Sequence, residues 1–119
     1  MAIASELNVY RDTYKLVLLL TRETKQFVRL YRYTLGEKMI NTSLNCLKFI
    51  QLINVTRDKE KRAEYFDLWI AEFEELKVLI RLSADPSVRC FSERKYSQLI
   101  TMLSGIGKQI TSWKNSINK

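Results

Sequence analysis

The side chains that do most protein chemistry are sparse in this sequence. Its 119 residues include no histidine. A Ser–His or Cys–His nucleophile pair, an imidazole metal ligand and a histidine general base are therefore all excluded. Cys46 and Cys90 are the two cysteines. Two isolated thiols make neither a disulfide framework nor a zinc site, and each sits among apolar neighbours as a small buried hydrophobe. Glu74-Glu75 is a pair of carboxylates, but adjacent residues do not face one another on a helix, so they are not expected to share a catalytic proton. Gly105-Ile106-Gly107-Lys108 superficially resembles a phosphate-binding loop. It lacks the upstream glycine, the following Ser or Thr and the preceding strand that such a loop needs. No catalytic residue, cofactor site or metal site is predicted, and the chain is expected not to be an enzyme.

What remains is charge. Twenty basic residues against 13 acidic ones give a net charge of +7. A field of this sign favours polyanions: nucleic acid, an anionic membrane or an acidic protein. Arg11, Lys15, Arg22, Lys25, Arg29 and Arg32 recur at helical spacing. On one helix all six would fall within roughly 100° of arc. Like charges three or four residues apart destabilise a helix by about 0.2–0.5 kcal/mol per pair, so stability alone would alternate the signs. The ridge reads either as a solvated face or as a row of phosphate contacts one helical turn apart. Arg57, Lys59, Lys61 and Arg62 form a second basic cluster, interrupted by Asp58 and Glu60. Residues 63–83 instead hold five acidic and two basic side chains. That polarity suits contact between subunits as well as neutralisation between neighbouring helices.

The elements that must position these charges are helical. Three glycines and one proline are few punctuators, which favours long helices. The first segment is expected from Ser5, as N-cap, to Tyr33, with Val9, Leu16, Leu20 and Phe27 inward and Tyr10, Val17, Leu30 and Tyr31 beside them. Gly36 is expected to break the chain there. A second helix, 37–55, would place Ile40, Leu44, Leu47 and Ile50 inward and Lys38, Asn41, Asn45 and Lys48 outward. Residues 56–62 read as a connection. The third helix, 63–82, spaces Phe66, Trp69, Phe73, Leu76 and Ile80 by alternating threes and fours until Asp85-Pro86-Ser87 stops it. The fourth opens on Ser92 as N-cap and carries Tyr96, Leu99, Leu103, Ile106, Ile110, Trp113 and Ile117. Its other face is small and polar: Ser97, Thr101, Ser104, Gly105, Lys108, Ser112 and Asn115, a surface another backbone can approach closely. Residues 1–119 are read as a single domain, an all-α, antiparallel up-down four-helix bundle. Tyr31 and Tyr33 are read as core residues rather than as stacking partners for bases.

Met1 to Leu7 lacks the features of a signal peptide, and Leu16 to Leu20, the longest strongly apolar run, is far too short to span a bilayer. The expected location is cytoplasmic, with no membrane partner, since the apolar faces are needed for the core.

Four strings, LNVYRDTY (7–14), LYRYTLGEK (30–38), LKVLIRLSA (76–84) and IGKQITSWKNS (106–116), resemble in order and separation the Avd accessory proteins of diversity-generating retroelements. The superfamily also includes four-helix-bundle proteins encoded in rRNA intervening sequences. Those carry an S-x-P-x-N-I-A-E-G-like stretch in the second helix, where this chain reads Ser43-Leu44-Asn45-Cys46-Leu47-Lys48. The chain is therefore more similar to the Avd branch, although Thr111-Ser112 stand where that branch has small, glycine-containing residues. The resemblance implies a homopentamer of four-helix bundles. It also implies binding to RNA or DNA and to a reverse transcriptase, in support of retroelement-driven mutagenesis. By motif match it adds Arg32, Lys38, Lys77 and Arg81 as binding positions. The expected function is thus a nucleic-acid-binding accessory protein working through backbone electrostatics. The alternatives are a protein-only oligomeric scaffold and an rRNA-associated bundle protein.

Overall fold

The computed structural model describes residues 7–117. Its helical segments are α1 (Asn8–Thr24), α2 (Arg29–Tyr31), α3 (Glu37–Val55), α4 (Lys59–Ala84) and α5 (Glu93–Ile117). A π-helical turn, Arg32–Gly36, carries α2 into α3 without interruption, so the segments make four rods. There is no strand among the described residues. The fold is an all-α four-helix bundle. α3 packs on α1 and α4, and α5 closes the circuit between α4 and α1.

The first rod is shorter than its apolar pattern predicts. α1 ends at Thr24, and the N–H groups of Gln26 and Phe27 turn back onto the carbonyls of Glu23 and Thr24. Phe27 then drops into the core against Phe91, with ring centroids 5.2 Å apart. The periodicity continues past Thr24 because the turn itself contributes a buried phenylalanine. The expected Ser5 cap lies outside the described residues. Leu30, expected beside the inner face, is 68% exposed.

Gly36 does not break the chain. It is buried inside the π-helical turn, where a Cβ would come within 3.3 Å of the Thr24 Cβ and 3.5 Å of the Phe27 ring. A side chain here would press on Thr24, so glycine suits the close approach of the two rods. The wide turn has a second cause. Tyr31, Leu35 and Met39 pack on the core at intervals of four residues. A regular α-helix overshoots by about 40° at each such step, and the wider π-turn takes up the drift.

α3 buries a different face from the expected one. Met39, Thr42, Ser43, Cys46, Phe49, Ile50 and Ile53 are inside, whereas Leu44 is 46% exposed and Ile40 and Leu47 are half-buried. Of the four residues expected inward, Ile50 alone is fully so. The two hydroxyls fit the interior because each is satisfied within its own helix: Thr42 donates to the Lys38 carbonyl and Ser43 to that of Ile40, both at 2.8 Å.

α4 begins at Lys59, four residues earlier than expected, because Asp58 caps it by accepting from the N–H groups of Glu60 and Lys61. It ends at Ala84, before Asp85-Pro86. Ser92 accepts from the N–H of Lys95 at 3.1 Å and so opens α5 as its sequence indicates. Phe66, Trp69, Phe73, Leu76 and Ile80 are all buried, as are Leu99, Leu103, Ile106 and Ile110. Gly107 takes the Phe73 ring 3.6 Å from the position of its absent Cβ, while Gly105 faces open space.

Candidate nucleic-acid interface

The break after Thr24 divides the basic ridge. Arg11, Lys15 and Arg22 stand on α1, Lys25 caps its end, Arg29 opens α2 and Arg32 begins the π-helical turn. All six are exposed, but they do not form a single straight row on one helix. On α1 itself, Arg11, Lys15 and Arg22 share the outward face with Tyr14 and Leu18, 49% and 56% exposed. Tyr10 stacks on Tyr14 at 6.2 Å, and with Arg11 and Lys15 the two rings line a shallow hollow of about 300 Å³.

The residues placed by motif divide into two kinds. Lys38 Nζ lies 3.5 Å from the Glu75 carboxylate, and Lys77 Nζ lies 2.7 Å from that of Glu74 and over the Phe73 ring. Each is thus partly neutralised by the acidic side of α4. Arg81 is exposed and makes no ion pair among the described residues, and the same holds for Lys15, Arg22, Lys25, Arg29 and Arg32.

Folding gathers a charge that the linear sequence disperses. The turn after α1 and the turn after α4 lie side by side, tied by the Phe27–Phe91 contact and by Lys95 Nζ, 3.9 Å from the Glu23 carboxylate. Residues 22–32 and 81–95 hold eight basic and three acidic side chains, and they meet at this pole. Arg89, Arg94 and Lys95, which no local spacing singles out, belong to it. Arg89 adopts a left-handed backbone, φ 54°, and its Nε donates to the Pro86 carbonyl at 2.9 Å. Such a conformation costs roughly 1–3 kcal/mol and is retained where surrounding contacts dictate it.

Tyr31 and Tyr33 behave differently. Tyr31 packs on the core as its spacing suggests, but Tyr33 is 60% exposed. The guanidinium carbons of Arg32 and Arg29 lie 5.2 Å and 5.9 Å from its ring centroid. Core tyrosine is therefore the wrong reading at position 33. The π-helical turn brings its neighbours Tyr31 and Leu35 onto the core and leaves position 33 outside.

Neither thiol is set up as a nucleophile. Burial, with a smaller contribution from Glu72, pushes Cys46 up to about 12, and burial also raises Cys90. No group of three or more Cys, Asp or Glu side chains that could hold a metal ion occurs among the described residues. No helix among them is long and apolar enough to cross a membrane. What the surface offers is a concentrated positive field with exposed aromatic carbon beside it, suited to holding a phosphate chain.

A protein-family model described as bAvd-like matches residues 9–117. No curated protein matches the chain.

Proposed function

This chain belongs to the bAvd-like family, and from that membership together with its surface we propose that it is a non-catalytic accessory protein that holds nucleic-acid backbone by electrostatics. The observation that carries the reading is the pole where residues 22–32 and 81–95 meet, with eight basic against three acidic side chains. Most of these cations are free of ion pairs among the described residues and stand ready for phosphate. The reverse transcriptase of a diversity-generating retroelement, and RNA or DNA as its template or product, are the partners the family resemblance supplies. Filter binding of RNA and DNA across a salt series tests the reading. Phosphate contacts release condensed counterions, so log affinity should fall linearly with log salt, by about 0.7–0.9 per contact. Tight binding only to an acidic protein, with no retention of nucleic acid at low salt, would favour the scaffold alternative.

We further propose that the chain works as a homo-oligomer, a pentamer by the same resemblance. Its surface supports association. Leu68, Val78 and Leu82 are exposed apolar side chains on one side of α4, each 45–47% exposed, with Glu75 between the first and the other two, and Leu44 with half-buried Ile40 and Leu47 gives α3 an apolar face. A monomer that leaves two such helix faces in water carries an apolar patch of the kind that marks interaction sites. Light scattering at micromolar concentration should return about five times the 14.1 kDa chain mass. A single-chain mass would overturn it.

A further inference from the structure

We propose that Tyr33 is a stacking platform for an unpaired base, which makes single-stranded nucleic acid the preferred ligand of the basic pole. The inference rests on the nucleic-acid-binding reading above and specifies its substrate class. Its observations are independent of charge alone. Tyr33 keeps 60% of its surface in solvent although the guanidiniums of Arg29 and Arg32 already lie within 6 Å of its ring centre. A ring so exposed adds nothing to the core, and the packing of its neighbours Tyr31 and Leu35 onto that core fixes the backbone that presents it. The segment is an ordered π-helical turn anchored by Gly36, and Thr34 ties its own hydroxyl to the Leu30 carbonyl at 2.7 Å. The platform is therefore preorganised rather than a loose loop.

The chemistry selects the ligand. Aromatic rings hold bases through their π faces, which a duplex conceals in its stack and a single strand offers. Arginines beside such a ring serve twice, by cation–π contact with the ring and by hydrogen bonds to phosphates flanking the stacked nucleotide. Arg22 and Lys25 just before the turn, unpaired among the described residues, extend the positive track along which further phosphates lie.

The test uses the full chain and a mixed-sequence single-stranded DNA of about a dozen nucleotides carrying 2-aminopurine, with the same sequence as a duplex for comparison. Wild-type protein should bind the single strand more tightly and change its 2-aminopurine emission as the base transfers to the ring. Tyr33→Leu keeps the charge and, at so exposed a position, the fold, which circular dichroism checks. It should weaken single-strand binding by about tenfold or more, abolish the emission change and leave duplex affinity in place. Tyr33→Phe, which retains the ring, should restore both. Equal losses on single strand and duplex, or none on either, would overturn the platform while leaving the nucleic-acid reading intact. Failure of the wild type to bind either strand form would overturn that reading itself, and the platform with it. Binding to anionic phospholipid vesicles that Tyr33→Leu abolishes, without oligonucleotide binding, would have the same consequence and assign the pole to a membrane surface.

Discussion

Trp69→Ala is expected to remove a large share of the bundle's stability. Trp69 is fully buried, with the Phe66 ring 5.8 Å away on its own helix and the Trp113 ring 5.9 Å away on α5. Phe66 and Trp113 also meet edge-on at 5.4 Å, so three rings lock α4 to α5 at the end of the bundle away from the basic pole. Truncating a buried tryptophan costs about 3–5 kcal/mol, and a domain of this size has a total stability of about 5–15 kcal/mol. The melting temperature should fall by roughly 10–25 °C. Trp113→Ala should cost less, because Trp113 is half-buried and part of its surface is already in water. Trp69→Phe should be mild by comparison. The Trp69 indole N–H has no hydrogen-bond partner among the described residues, so phenylalanine removes an unsatisfied donor while keeping a ring in place. Thermal melts followed by circular dichroism rank the three variants. A Trp69→Ala protein as stable as wild type, or less perturbed than Trp113→Ala, would mean that the ring cluster does not join the two helices as described.

That core stripe was legible because most of the large rings in α4 recur at core spacing. Phe66, Trp69 and Phe73 can be hidden only on one face, and the outward positions carry Glu64, Asp67, Glu74 and Glu75. α3 offered no such contrast. Ile40, Leu44 and Leu47 make a more apolar stripe than the face that is actually buried, which contains Thr42 and Ser43. Sequence polarity misleads there because a hydroxyl that bonds its own helix's carbonyl enters the core with little penalty. The apolar face left outside is then a surface feature, which is why it bears on association.

The turn after α1 was hidden for a related reason. Lys25-Gln26-Phe27-Val28 contains neither proline nor glycine, and the glycine that looked like the breaker stands at position 36, within the next rod. Gly36 records the close approach of two helices, a tertiary requirement that local pattern does not reveal. The candidate interface was legible as far as counting charges could take it. Arg22, Lys25, Arg29 and Arg32 were visible, but their union with Arg81, Arg89 and Arg94 depends on two turns about 60 residues apart in sequence meeting at one pole, which no local spacing rule reaches.

Replacing Arg22, Lys25 and Arg29 together with glutamine is expected to remove most nucleic-acid binding and leave the bundle intact. The three side chains are exposed and make no ion pair among the described residues, and the contact of Arg29 with the exposed Tyr33 ring lies outside the core, so the fold does not depend on their charge. Glutamine preserves helix propensity and side-chain length, and relief of like-charge repulsion should hold or slightly raise stability. If each residue meets one phosphate, the slope of log affinity against log salt should become shallower by up to about 2–3. Between 50 and 200 mM salt the wild type should then lose about 20–40-fold more affinity than the variant. Arg11→Gln with Lys15→Gln supplies the spatial control. Arg11 stands about 16 Å along α1 from Arg22, so this pair should cost less if binding centres on the pole. It should cost as much if the whole face of α1 tracks the backbone. Filter binding measures affinity and slope, with circular dichroism as the folding check. Unchanged affinity in the triple variant with full helicity would make these residues a solvated face. The binding surface would then have to lie around Arg57–Arg62 or on α4 at Lys77 and Arg81, and at Lys77 the existing pairing with Glu74 means that a phosphate must first displace a carboxylate.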